Sequence, residues 1–135
     1  MPLSNFVEIG KKIKLTQTTG FDSMETMKLF SLDETLYEAV SHDPGLKKKV
    51  LTRDPLPHIR HISHIILHPG DNASEHTHAD DVEGFYCIRG NAEFLIKGQK
   101  VFLRKGQLLL IEPGEVHSIP NVKEDTELLY FRASE

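Results

Sequence analysis

From Arg60 onward, short stretches rich in β-branched and aromatic residues recur along the chain, at 85–88, 92–96, 101–103, 108–111 and 128–131. Glycine and proline punctuate them. Pro44-Gly45, Pro69-Gly70 and Pro113-Gly114 are turn dipeptides, and Gly90, Gly98 and Gly106 stand eight residues apart. Short apolar segments with turn signals at this spacing predict an all-β sandwich or barrel. The first third is patterned differently. Ser31-Leu32-Asp33-Glu34 has the form of a capping box, with Ser31 as N-cap and Glu34 at the third helical position. Leu32, Leu36 and Val40 follow at intervals of four, which predicts one short amphipathic helix ending before Asp43-Pro44-Gly45. Residues 46–52 read as a strand with Lys47, Lys48 and Lys49 at an exposed edge, where lysines discourage unwanted strand pairing.

No internal repeat, low-complexity tract or long linker divides the chain. The expectation is one domain overall, with a β core over residues 60–135 and an N-terminal extension, residues 1–59, packing on that core or extending it. A length of 135 residues agrees with this. A chain of this size buries roughly 65–70% of its unfolded surface, enough for a core without disulfides. Sixteen Lys and Arg against twenty Asp and Glu give a net charge of −4, which argues against a nucleic-acid partner, since that needs a basic surface. The single cysteine, Cys87, permits no intramolecular disulfide and no Cys-based zinc ribbon. No apolar run exceeds four residues, so neither a membrane span nor a signal-peptide core is expected, and the chain reads as soluble and cytoplasmic. HExxH, GxSxG, Walker A and GxGxxG patterns are absent.

Histidine is the commonest metal ligand, and six of the eight histidines fall within residues 57–78. His76 and His78, at i and i+2, would share one face of a strand about 6.5 Å apart, within reach of one ion. Glu83 has the wrong parity for that face on a straight strand. A turn at residues 79–81 would remove the objection by returning Glu83 beside the two histidines. His117 follows Pro113-Gly114 and would come from a distant strand.

These residues resemble the two sequence motifs of the cupin superfamily. Gly70-x5-His76-x-His78-x4-Glu83-x6-Gly90 fits the first motif at every defined position, and Gly106-x5-Glu112-x-Gly114-x2-His117-x3-Asn121 fits the second with one departure. The family usually has proline where this chain has Glu112, and here Pro113 follows. The swap touches the turn before His117, not a ligand position. Residues 40–46 and the ending Leu128-Leu129-Tyr130-Phe131 add a weaker likeness to small single-domain cupins. The resemblance implies a jelly-roll β-barrel with a metal ion inside, and His76, His78, Glu83 and His117 as its ligands. Three imidazoles and one carboxylate suit one divalent transition ion (Fe, Mn, Ni, Cu or Zn) better than Mg or Ca. The resemblance also implies a homodimer in which N-terminal strands extend the partner's sheet.

Other residues have bland readings. His61 with Ser63, and His64 with His68, fall on opposite faces of one predicted strand, and alternation does not say which face points inward. Cys87 shares the face of Glu83 and Phe85 and reads as core packing. No positively charged cluster points to a specific anionic substrate. Two functional readings follow: a metal-dependent enzyme of oxygenase, isomerase or lyase type acting on a small organic molecule, or a non-catalytic small-molecule-binding or sensor module whose metal fixes a ligand or the barrel. The fold does not choose between them. An acid/base group near the open metal positions would favour the enzyme.

Overall fold

The computed structural model describes residues 6–9, 12–15 and 27–135. It divides into two compact units, Met1–Thr35 and Leu36–Glu135. The first contains β1 (Phe6–Ile9), β2 (Lys12–Leu15) and β3 (Met27–Lys28), paired in that order as an antiparallel sheet.

The second unit is built from β4 (Tyr37–Val40), β5 (Asp43–Leu56), β6 (Ile59–Leu67), β7 (Ala73–His76), β8 (Asp81–Arg89), β9 (Asn91–Ile96), β10 (Gln99–Arg104), β11 (Leu108–Ile111), β12 (His117–Ile119) and β13 (Thr126–Ser134). Six of these strands form one antiparallel sheet, in the order β11-β8-β13-β6-β5-β4. The other four form a second, in the order β10-β9-β12-β7. From β7 onward the chain passes repeatedly between the two sheets. Inward residues of both sheets make one core, with Phe94, Leu67, Ile111, Leu128 and Cys87 almost fully enclosed.

Turn chemistry holds the registers. Lys97 and Gly98 both adopt positive φ, which makes the two-residue connection that joins β9 to β10 with Ile96 opposite Gln99. Gly90 ends β8 at φ 87°, and a Cβ there would lie 2.3 Å from the Asp125 carbonyl oxygen. The motif glycine is therefore required by both conformation and space.

The N-terminal third departs from expectation. Among the described residues there is no helix. Residues 32–34 form a turn in which Thr35 N–H donates to the Leu32 carbonyl (3.2 Å) and its hydroxyl to the Ser31 carbonyl (2.6 Å). The capping-box residues thus close a single turn, and β4 follows. The expected apolar stripe does not bury, since Leu36 is 86% exposed while Val40 packs in the core. So short a helix is marginal in water, and β4 instead completes its backbone bonding along β5. The lysine strand is not an edge either: β5 lies between β4 and β6. Alternation along it turns Lys47 and Lys49 outward and Lys48 to the same face as the buried Leu46 and Val50.

Candidate metal centre

The four expected ligands come from separate parts of the second unit. His76 ends β7, and His117 begins β12 directly opposite it in the ladder, with ring centroids 4.1 Å apart. His78 lies beyond the end of β7 in the bend that leads to β8. Glu83 is on β8, in the other sheet. The turn at residues 79–81 is thus a crossing between sheets and not a hairpin, so Glu83 meets the histidines across the interior. The Pro113-Gly114 turn braces the arrangement, because Gly114 N–H donates to the His78 carbonyl (2.8 Å). Glu112, where the motif departs, uses an N–H that proline lacks: it donates to the Glu115 carboxylate (2.8 Å).

Ligand atoms of His76, His78, Glu83 and His117 lie within 4.8 Å of one another. Glu83 Oε1 is 2.9 Å from His117 Nε2, 3.5 Å from His78 Nε2 and 3.7 Å from His76 Nε2. Burial opposes the Glu83 charge, yet the His117 hydrogen bond and the nearby His76 and His78 imidazoles outweigh it and hold the carboxyl far below the usual range. Burial likewise opposes charge on His117, and the Glu83 contact overcomes it, raising that imidazole.

The donor set fits a transition ion. Bonds of about 2.0–2.2 Å place ligand atoms about 3 Å apart when adjacent and just over 4 Å when opposite, which this cluster spans. His76 Nδ1 faces the Ser74 carbonyl (2.8 Å) and His117 Nδ1 the Glu115 carbonyl (2.8 Å). An Nδ1–H on each ring fixes the tautomer that turns an Nε2 lone pair inward. His78 Nε2 is buried with no hydrogen-bond partner, a cost that a cation would remove.

Beside the cluster lies a cavity of about 50 Å³, walled by Phe85, Phe94, Ile65, Leu67 and Leu128 and touched by His76, Glu83 and His117. His42 and Tyr130 also line it. The His42 ring stands edge-on to His76 at 3.9 Å, and burial lowers its basicity, as does the neighbouring His76. Sequence reasoning passed over His42 because it lies far from the histidine cluster along the chain. Its signal was local: it forms part of the turn joining β4 to β5.

The remaining histidines separate by face. His61 and Ser63 point inward with Ile65 and Leu67, and His61 Nδ1 is 2.8 Å from the Ser63 hydroxyl. His64 lies on the opposite face against Glu127 (2.6 Å), and His68 meets Asp125 at the surface (2.9 Å). Cys87 is wholly buried and donates weakly to the carbonyls of Arg89 and Gly90, away from the cluster. Arg89 turns outward to Glu127 (3.5 Å).

Comparison with known proteins agrees with this architecture. The family described as "Cupin domain" matches residues 63–131. A predicted oxalate decarboxylase from Thermotoga maritima superposes with a TM-score of 0.70 at 24% identity, covering 79% of this chain and 99% of that one. The cupin domain of Cnp3 from Schizosaccharomyces pombe gives 0.71 at 17% identity, over 97% and 88%. An RmlC-like cupin from Shewanella frigidimarina gives 0.64 at 19% identity, over 78% and 90%. No curated protein matches the sequence.

Proposed function

The chain belongs to the cupin family, and from that premise we propose that it is a metal-dependent enzyme acting on a small organic molecule. His76, His78, Glu83 and His117 are the residues that would hold the ion. A divalent transition ion supplies Lewis acidity or a redox couple. The observation that carries the reading is the convergence of three imidazoles and one carboxylate beside an apolar cavity that His76, Glu83 and His117 line. A water-poor wall with a few converging polar groups is the usual make-up of a small-molecule site. His42 and Tyr130 offer acid/base and hydrogen-bonding atoms on the same cavity, which favours catalysis over a purely binding or sensor role. Tyr130 is buried, and that burial with the Glu83 charge keeps its hydroxyl protonated.

The reaction belongs to the oxygenase, isomerase or lyase types, and decarboxylation, the activity predicted for the Thermotoga maritima relative, falls within them. Elemental analysis of the purified full chain beside His117→Ala tests the reading. About one equivalent of Fe, Mn, Ni, Cu or Zn is expected in the parent and much less in the variant. A parent that holds no metal after reconstitution overturns it.

A further inference from the structure

One row of side chains on the inner face of the six-stranded sheet starts at Glu83 and leads away from the cluster. Glu83 on β8 is opposite Arg132 on β13, Arg132 is opposite His61 on β6, and His61 is opposite Arg53 on β5. Neighbouring strands stand about 4.8 Å apart, so these four form a continuous shelf beside the metal centre. Lys48 and Glu38, opposite one another on β5 and β4, share this face. The cations come from β5 and β13 and meet only in the folded sheet.

The charges on the shelf are unevenly paired. Glu38 is engaged by Arg53. Asp81 is shared between two guanidiniums, Arg132 at 3.3 Å and Arg60 at 3.6 Å. Arg132 Nε nevertheless has no hydrogen-bond partner. Its Nη1 lies 3.3 Å from His78 Nδ1. A guanidinium can only donate, so that contact is incompatible with a His78 that carries its proton on Nδ1 and offers Nε2 to an ion. Lys48 is half-buried, and among the described residues no carboxylate pairs with its ammonium. Burial lowers its basicity against the opposing pull of Glu38, while Arg53 and Arg132 lower it further. With Glu83 taken up by the imidazole cluster, three cations of the shelf (Lys48, Arg53 and Arg132) face two carboxylates (Glu38 and Asp81), and a half-buried unpaired charge is costly.

We propose that Lys48 and Arg132 bind the carboxylate of a small organic acid whose other oxygen lies against the His76, His78, Glu83 and His117 cluster. The inference rests on the metal-site reading above and names its substrate class. A single carboxylate balances the excess charge of the shelf, whereas a phosphate dianion overfills it. A planar carboxylate also matches the guanidinium fork of Arg132. Two anchors on opposite sides of the molecule would orient the atoms between them.

Calorimetric titration of the metal-loaded full chain with acetate, glycolate and malonate, against acetamide, glycolamide and malonamide, tests this. The acids should bind about tenfold or more tightly than their amides, with glycolate or malonate above acetate. Lys48→Met, which keeps the stem and removes the charge, should lose that preference while its metal content stays at the parental level. Lys48→Arg should recover part of it. Equal binding of acids and amides, unaltered acid binding by Lys48→Met, or tighter binding of inorganic phosphate than of any carboxylate would overturn the proposal. Metal content is read separately from binding. Full metal with no acid preference therefore sinks only the carboxylate inference. Acid binding that depends on Lys48 in a chain unable to hold metal sinks only the metal reading.

Discussion

His61 sits on the inner face of β6 with its ring edge-on to Tyr130 at 5.4 Å and Nδ1 against Ser63. Burial, with Lys48, Arg132 and Arg53 nearby and Glu83 pulling the other way, lowers its pKa to about 4. The folded state therefore binds a proton less readily than the unfolded chain, whose histidines titrate near 6.5. Between those values the unfolded state holds more protons, so stability falls as pH drops from about 6.5 toward 4. Allowing for partial solvent exposure, His61 should account for a loss on the order of 1 kcal/mol. Urea unfolding of metal-free protein at pH 7 and 4.5 should show a smaller drop for His61→Gln than for the parent; equal drops would count against the assignment. At this scale the sequence spoke clearly about some residues and not others. Cys87 was legible as core because parity with Phe85 needs only a straight strand. The inward direction of His61 was not, because alternation defines two faces without saying which one is covered.

Strands and turns set how firmly the metal ligands are held. β7 is the edge strand of its sheet, and its outer backbone would be open. Asp43, at the start of β5 in the opposite sheet, closes it: Ser74 N–H donates to its carboxylate at 2.9 Å, and the Ser74 hydroxyl donates to the other oxygen. Burial opposes the Asp43 charge, but these two bonds hold its carboxyl below the ordinary range. The Ser74 carbonyl then accepts from His76 Nδ1. Asp43 is thus a positioning residue for His76, acting through one strand on another. Asp43→Ala should weaken metal affinity by about ten- to a hundredfold, with the β fold retained, as measured by competition against a chromophoric chelator. Unchanged affinity together with an intact circular dichroism spectrum would remove Asp43 from the site. The helix expected near residues 31–40 failed at this same scale. Four-residue spacing and a capping box are local signals, and strand pairing along β5 is a tertiary one that outweighs them.

In the second unit as a whole, two sheets enclose the core and leave one apolar face uncovered. Leu108 and Leu110 on β11 and Tyr86 and Ile88 on β8 are all exposed on the outside of the six-stranded sheet, where β11 forms its edge. Clustered apolar exposure at an edge strand marks an interaction surface. We propose that a second copy of the chain covers it, giving the homodimer that the family resemblance implies. The expected exchange of N-terminal strands falls partly outside the described residues. Sedimentation velocity should show a dimer for the parent and a monomer for Leu108→Asp with Leu110→Asp; a monomeric parent, or a dimeric variant, would refute this interface. Among the described residues no helix is long and apolar enough to cross a membrane. What the sequence determined alone was the β architecture, its turns and the four residues that gather at the centre, because strand alternation, glycine conformation and motif spacing are properties of short segments. Only the tertiary structure decided that Glu83 faces the histidines from the other sheet, that His42 lines their cavity, and that Lys48, Arg53 and Arg132 share one shelf. Those relations depend on which strands become neighbours, and contacts between residues many positions apart leave no local pattern in the chain.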